Sequence, residues 1–446
     1  VNAIEARLLV KDSPTVTQVA DQRITSAPGG TRQAAGDALF PGRASSAGLA
    51  AANRKLVPNQ TSKAQPGGGG LLGAYAADLA GLAAHDRLRR LAPRTGLDFT
   101  SNDYLGLAES PEYAQAAAAA LARGVPLGAG GSRLLRGNHP EHEALEKEAA
   151  AFFGAESALF FGAGFSANAA LLATLPQRGD LIVHDALVHA SAHDGMRLSR
   201  ATSVAAAHND VDAFEAAIHA FRRAGGTGRP FLIVESLYSM DGDFAPLADL
   251  AALAERYEAF LFIDEAHATG VFGPGGRGLA AALEGRDNVV TLHTCGKALG
   301  LSGALTLAPR VLREFLVNRC RPFIFATAPS PFLAACVRAA LPIIDGAEDR
   351  RAALAARVAL AGRALRRHGL AAPLSQIAPI VVGSDARALA LAAAMQARGY
   401  DTRAIRPPTV AEGTARLRVT LTLDVSEAEI AAMIDDLATE IARLAS

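Results

Sequence analysis

The stretch Phe260-Leu261-Phe262-Ile263-Asp264-Glu265-Ala266-His267 carries four apolar residues straight into an acid. Downstream, Val289-Val290-Thr291-Leu292-His293-Thr294-Cys295-Gly296-Lys297-Ala298-Leu299-Gly300 ends another largely apolar run in a lysine among small neighbours. Runs of this kind suit strands covered on both faces, as in parallel sheets wrapped by helices. The texture recurs at Ala158–Phe161, Leu181–Val183 and Phe231–Val234, with Ala-rich helical stretches between. Strand, helix, strand at this spacing predicts an α/β fold with a mostly parallel central sheet. Such sheets bind ligands outside the carboxyl ends of their strands, so chemistry is expected at the residues that end these runs.

Working outward, residues 1–70 are rich in Ala, Ser, Gly, Gln and Thr and close on Pro66-Gly67-Gly68-Gly69-Gly70. That composition predicts a disordered tail or linker, because it buries too little to offset its ordering entropy. Residues 71–120 are expected to form an N-terminal helical segment that begins with an amphipathic helix over 71–92. A large α/β domain is expected over 121–340. The run Pro379–Val382 and the strand Arg416–Leu423 predict a smaller α+β domain over 341–446. Formal net charge is zero over 446 residues, which provides no electrostatic footprint for nucleic acid or an acidic membrane surface. No apolar run reaches the roughly 18 residues of a membrane span. The three cysteines, Cys295, Cys320 and Cys336, follow no metal or disulfide spacing and suit a reducing compartment. A cytoplasmic protein is expected.

The strand ends carry the candidate chemistry. Asp264 can cap a helix, but it can equally hold a pyridinium nitrogen protonated and so make the ring an electron sink. His267, three residues on, is placed to reach the phenolic oxygen of such a ring. Burial among small residues lowers a lysine's affinity for its proton, as imine chemistry at Lys297 requires. Thr294 is a candidate phosphate donor. Gly162-Ala163-Gly164-Phe165-Ser166-Ala167 follows a strand and opens a helix, where backbone N–H groups receive phosphate. The same stretch satisfies G-x-G-x-x-A, with Asp185 downstream as a candidate ribose partner, so a nicotinamide-linked oxidoreductase is the competing expectation. It leaves Lys297 and Asp264 unexplained. His184, His189 and His193 lack the companions of a metal site; His189 is instead placed to stack on a flat cofactor. Glu235 and Ser239 follow another buried strand.

At these residues the chain resembles the α-oxoamine synthases, a family of fold-type I pyridoxal-phosphate enzymes. The resemblance runs from about Leu71 to Arg443 and rests on several motifs in one order. They are Ser101-Asn102-Asp103-Tyr104-Leu105-Gly106-Leu107, Gly130-Gly131-Ser132-Arg133, Ser239-Met240-Asp241-Gly242-Asp243, Asp264-Glu265-Ala266-His267-Ala268-Thr269-Gly270 and the lysine loop. It implies that Lys297 anchors pyridoxal 5′-phosphate and serves as the base, and that Asp264 pairs with the ring nitrogen. It places His267 and Ser239 near the ring hydroxyl, His189 on the ring face, and Gly164, Phe165 and Thr294 at the phosphate; Asn102, Arg406 and Thr409 face substrate. Ile405–Val410 and Gly413–Arg418 look most like the branch that joins L-alanine to a pimeloyl thioester, on CoA or acyl carrier protein, in biotin synthesis. A different amino acid, glycine or serine, with another acyl-CoA is the alternative within the family. The resemblance also implies a homodimer in which Arg321–Ser330, with Thr327, reaches the partner's cofactor. Ala411 and Cys295 depart from the family's usual residues.

Overall fold

The computed structural model describes residues 70–444. The tail expected over 1–70 lies outside these residues except for Gly70.

Seven strands build the main sheet: β1 (Ser157–Phe161), β2 (Leu181–Asp185), β3 (Thr202–Ala206), β4 (Pro230–Glu235), β5 (Phe260–Asp264), β6 (Val289–Thr294) and β7 (Ala304–Ala308). Their order is β1-β7-β6-β5-β4-β2-β3. All neighbours are parallel except that β7 runs antiparallel to both β1 and β6. The apolar runs are buried on both faces because alternate side chains point to opposite sides. Ile182, Ile233 and Phe262 enter one apolar cluster, whereas Val183, Leu232, Leu261 and Ile263 enter another. β3 and β7 carry no uninterrupted apolar signal. β3 is an edge strand with four of its five residues exposed, and β7 is broken by Thr306.

A second sheet holds β8 (Ile377–Gly383), β9 (Ala404–Ile405) and β10 (Ala415–Thr420), with β10 central and antiparallel to both neighbours. The helix Pro331–Asp345 runs across residue 341, where a domain boundary was expected. The N-terminal segment is stitched to the second sheet. Leu97–Asp98 pairs in parallel with Tyr400–Asp401, Thr420 N–H donates to the Phe99 carbonyl at 2.9 Å, and Leu423 N–H donates to that of Tyr104 at 3.1 Å.

The helix expected over 71–92 covers only Gly73–Ala84 and buries none of its residues. Asp86 takes a left-handed φ of 58°, which ends the helical path. Arg87 is drawn to Asp385 at 2.8 Å and to Glu412 at 2.6 Å. Among the described residues no helix is long and apolar enough to cross a membrane.

Candidate active site

Asp264 and Thr294 end neighbouring parallel strands, and Glu235 ends the strand on the other side of Asp264, in register with it. The turn after β6 carries Lys297 back over these ends. Gly300 closes that turn at φ 63°, where a Cβ would come within 2.6 Å of the Ala108 backbone nitrogen; only glycine permits that approach.

Lys297 Nζ lies 2.7 Å from His267 Nε2. Burial pushes the Lys297 ammonium down to about 8, although Asp264 and Glu235 oppose the shift. Burial and the Lys297 charge push His267 well below the usual imidazole range. Glu235 is pushed up to about 8 by burial and by Asp264. One of its oxygens accepts the Ser239 N–H at 3.1 Å and the other has no partner.

Asp264 is oriented from two sides. Ala266 N–H donates to Oδ1 at 2.9 Å, and Asn168 Nδ2 donates to Oδ2 at 2.6 Å. Asn168 also reaches Ser191 Oγ at 3.1 Å, which lies 2.8 Å from His189 Nδ1. One side-chain line therefore couples His189 to Asp264. Phe165 meets His189 edge to face, with centroids 6.2 Å apart.

Asn102 joins the cluster through Arg418, whose Nη2 donates to Asn102 Oδ1 at 3.0 Å and whose Nε donates to the Ser239 carbonyl at 2.5 Å. Arg406 and Thr409 do not converge on Lys297. Arg406 donates to the Asp86 carbonyl, and Thr409 Oγ1 accepts from Arg89 at 3.3 Å. In the 321–330 stretch, the Arg321 guanidinium lies over Phe325 and Ala328 N–H bonds to Gly131.

Sequence reasoning missed Arg418, Tyr104 and Asn168. Arg418 had a usable signal: on β10 it shares a face with Arg416, two residues away, and both are buried. Two arginines in a buried strand demand partners. Arg416 finds Asp241 at 2.6 Å. Arg418 forms no ion pair with any described residue, although it is 8% exposed.

The competing nicotinamide expectation fails on Asp185. Its carboxylate is fully buried and already taken by His208 at 2.9 Å and by the N–H groups of Asn209 at 2.7 Å and Leu187 at 2.8 Å. So engaged and with no exposed surface, it is not presented to a ribose. His184 and His193 meet edge to face as ring neighbours.

Pyridoxal phosphate fits what remains. The helix Gly164–Thr174 starts without a side-chain cap, so its first N–H groups are free for phosphate. A Cβ on Gly164 would lie 3.2 Å from Thr294 Oγ1, which leaves the hydroxyl and the helix start sharing one cradle. The orphaned buried oxygens of Glu235 and Asn168 mark a site that expects a polar ligand.

The fold and this lysine-centred cluster define a pyridoxal-phosphate enzyme of fold type I. The chain belongs to the aminotransferase class I and II family, whose profile matches residues 94–437, and within it to the 8-amino-7-oxononanoate synthases. It is 47% identical over 345 residues to such a synthase from Anaeromyxobacter dehalogenans, covering 77% of this chain and 84% of that one. It is 42% identical over 377 residues to another from Azoarcus sp., covering 81% and 95%. Among solved structures, Sphingomonas wittichii serine palmitoyltransferase matches with a TM-score of 0.75 at 28% identity, covering 84% of this chain and 99% of that one. The Francisella tularensis 8-amino-7-oxononanoate synthase matches with a TM-score of 0.65 at 26% identity, covering 78% and 98%.

Proposed function

We propose that the protein condenses L-alanine with a pimeloyl thioester, carried on CoA or acyl carrier protein, in biotin synthesis. The new carbon–carbon bond joins the alanine Cα to the acyl carbon, the thiol carrier leaves, and the alanine carboxylate departs as CO2 to give 8-amino-7-oxononanoate. The single observation that carries this reading is a lysine amine linked through His267 and Tyr104 to a buried guanidinium that forms no ion pair with any described residue. An α-amino acid meets both needs, with its nitrogen toward Lys297 and its carboxylate toward Arg418.

When bound, pyridoxal phosphate supplies an electron sink for negative charge at Cα. Asp264, held by Asn168 and Ala266, would keep the ring nitrogen protonated. His189 would pack on the ring, His267 and Ser239 would serve its hydroxyl, and Glu235 borders Asp264. Gly164, Phe165 and Thr294 would hold the phosphate. Lys297, neutral once its proton is lost near pH 8, removes the Cα proton and later returns one; one amine doing both is favoured by proximity. Arg418 and Asn102 orient the amino acid, and Arg406 and Thr409 serve the acyl substrate. The working unit is a homodimer, with Thr327 of one protomer at the other's site. The exposed side chains of Leu135 and Phe325 offer apolar surface for that contact.

The test is to record the visible spectrum of the purified protein, reduce it with borohydride and map the label, then measure condensation with L-alanine, glycine and L-serine. A yellow protein labelled at Lys297, with turnover on alanine and pimeloyl thioester that is lost in Lys297→Ala, is expected. A protein left colourless by added pyridoxal phosphate sinks the cofactor, and faster turnover on glycine or serine sinks the substrate.

A further inference from the structure

Within the Lys297 cluster, one buried side chain has no role so far. Tyr104 is 0% exposed. Its hydroxyl lies 2.6 Å from His267 Nδ1, 3.0 Å from Asn102 Oδ1 and 3.4 Å from Arg418 Nη2. His267 spends its other ring nitrogen on Lys297, at 2.7 Å. Four side chains thus form one line from Lys297 through His267 and Tyr104 to Asn102.

The line has a direction. An ammonium has donors only, so when Lys297 is charged His267 Nε2 must accept. A neutral imidazole carries one N–H and one bare nitrogen, which places the N–H on Nδ1, facing the Tyr104 oxygen. The hydroxyl's single hydrogen then passes to Asn102 Oδ1. Arg418 also donates only, so it supports this direction at both the Tyr104 and Asn102 oxygens. Charging His267 as well is opposed by its burial and by Lys297, Arg418 and His189. Around Lys297 itself, Asp264 and Glu235 favour the charge and Arg418 opposes it.

We infer that Tyr104 is a positioning residue that acts on Lys297 through His267, by holding the Nδ1–H tautomer whose bare Nε2 receives the Lys297 proton. It governs how firmly Lys297 keeps the proton it takes from substrate until one is returned. Without the hydroxyl, the Nδ1–H becomes a buried donor with no acceptor, a costly state. The opposite tautomer would turn Nε2–H against the ammonium. Both outcomes disfavour the charged lysine, so Tyr104→Phe should make Lys297 lose its proton more easily. The inference rests on Lys297 as the base of the proposed reaction.

The first measurement needs no variant: 15N-histidine spectra of the full chain without added cofactor at pH 7, with His267 assigned by its absence in His267→Gln. The Nδ1–H form is expected; an Nε2–H form overturns the inference. The second compares wild type and Tyr104→Phe as holoenzymes, following exchange of the alanine Cα hydrogen for deuterium against pH without acyl substrate. The acidic limb should move down by half a pH unit or more in the variant. A slower rate with an unmoved limb overturns the inference, since lost packing alone leaves the limb in place. If the variant does not fold, the wild-type spectra decide. Borohydride labelling away from Lys297 would defeat the functional reading separately, while the tautomer would remain measurable.

Discussion

Replacing Arg418 with Met separates a structural arginine from one kept for substrate. In the folded chain the Arg418 guanidinium is buried, bonds to the Ser239 carbonyl and Asn102, and forms no ion pair among the described residues. Methionine fills much of the volume and removes the charge. The loss strands a buried carbonyl, at about 1–3 kcal/mol. Against this, it relieves a buried cation with no counter-charge, whose desolvation costs on the order of several kcal/mol. The terms oppose each other, so the thermal midpoint should hold or rise. Function should not hold: removing one partner of a buried, hydrogen-bonded charge pair costs about 2–5 kcal/mol. At about 1.4 kcal/mol per tenfold, that predicts roughly a 30- to 4000-fold loss in kcat/KM for alanine. The chain has no tryptophan, so the midpoint is best followed by circular dichroism or calorimetry beside steady-state kinetics. Arg416→Met is the internal control, because Arg416 pairs with Asp241 at 2.6 Å and should lose stability. An Arg418→Met protein that melts much earlier yet keeps its alanine kinetics would refute the reasoning.

Two further outcomes are expected. His208 bridges Asp185 at 2.9 Å and Asp243 at 2.8 Å; partial burial lowers its proton affinity, but these bonds more than offset that and raise it. Its stabilisation is therefore fully present below the ordinary imidazole value and lost as pH rises through the raised folded one. The stability gap between wild type and His208→Gln in urea should be larger at pH 6 than at pH 9, and a gap independent of pH would exclude the charged bridge. Arg406→Ala should raise the requirement for acyl substrate well beyond any loss of stability; unchanged acyl kinetics would remove Arg406 from the site.

What the sequence disclosed follows the range of the interactions involved. Lys297, Asp264, His267, Glu235 and Thr294 end or follow strands announced by apolar runs, so a local pattern and one rule about strand ends were enough to place them. β3 gave no such signal, because an edge strand with exposed residues has no need of an apolar run. The helix beginning at Gly73 stopped early for a reason the apolar spacing does not contain: Arg87 has partners at Asp385 and Glu412, about 300 residues away. Arg406 and Thr409 carried a motif resemblance, and in the folded chain they contact Asp86 and Arg89 instead of the lysine cluster. Arg418 and Tyr104 were missed because their partners come from segments that only the tertiary fold joins.

The site is assembled from two sides. The lysine side of the cluster belongs to the main sheet, where Lys297, His267 and Asp264 depend on β5 and β6. The Arg418 side is built from a pairing across almost the whole described chain. Thr420 N–H reaches the Phe99 carbonyl, Leu423 N–H reaches that of Tyr104, and Arg418 precedes these contacts on β10. Tyr104 joins the two sides: its backbone is held by the second sheet's chain and its hydroxyl contacts His267 of the main sheet. β10 is held in register by β8 and β9, so a shift of a single residue between Phe99 and Thr420 would turn Asn102 and Tyr104, not Arg418, away from their places. It would unseat the guanidinium while leaving the lysine and the phosphate cradle intact. The protein should then still capture pyridoxal phosphate at Lys297 yet fail to hold an amino acid, so cofactor binding and substrate binding are separable by mutations in residues 97–104.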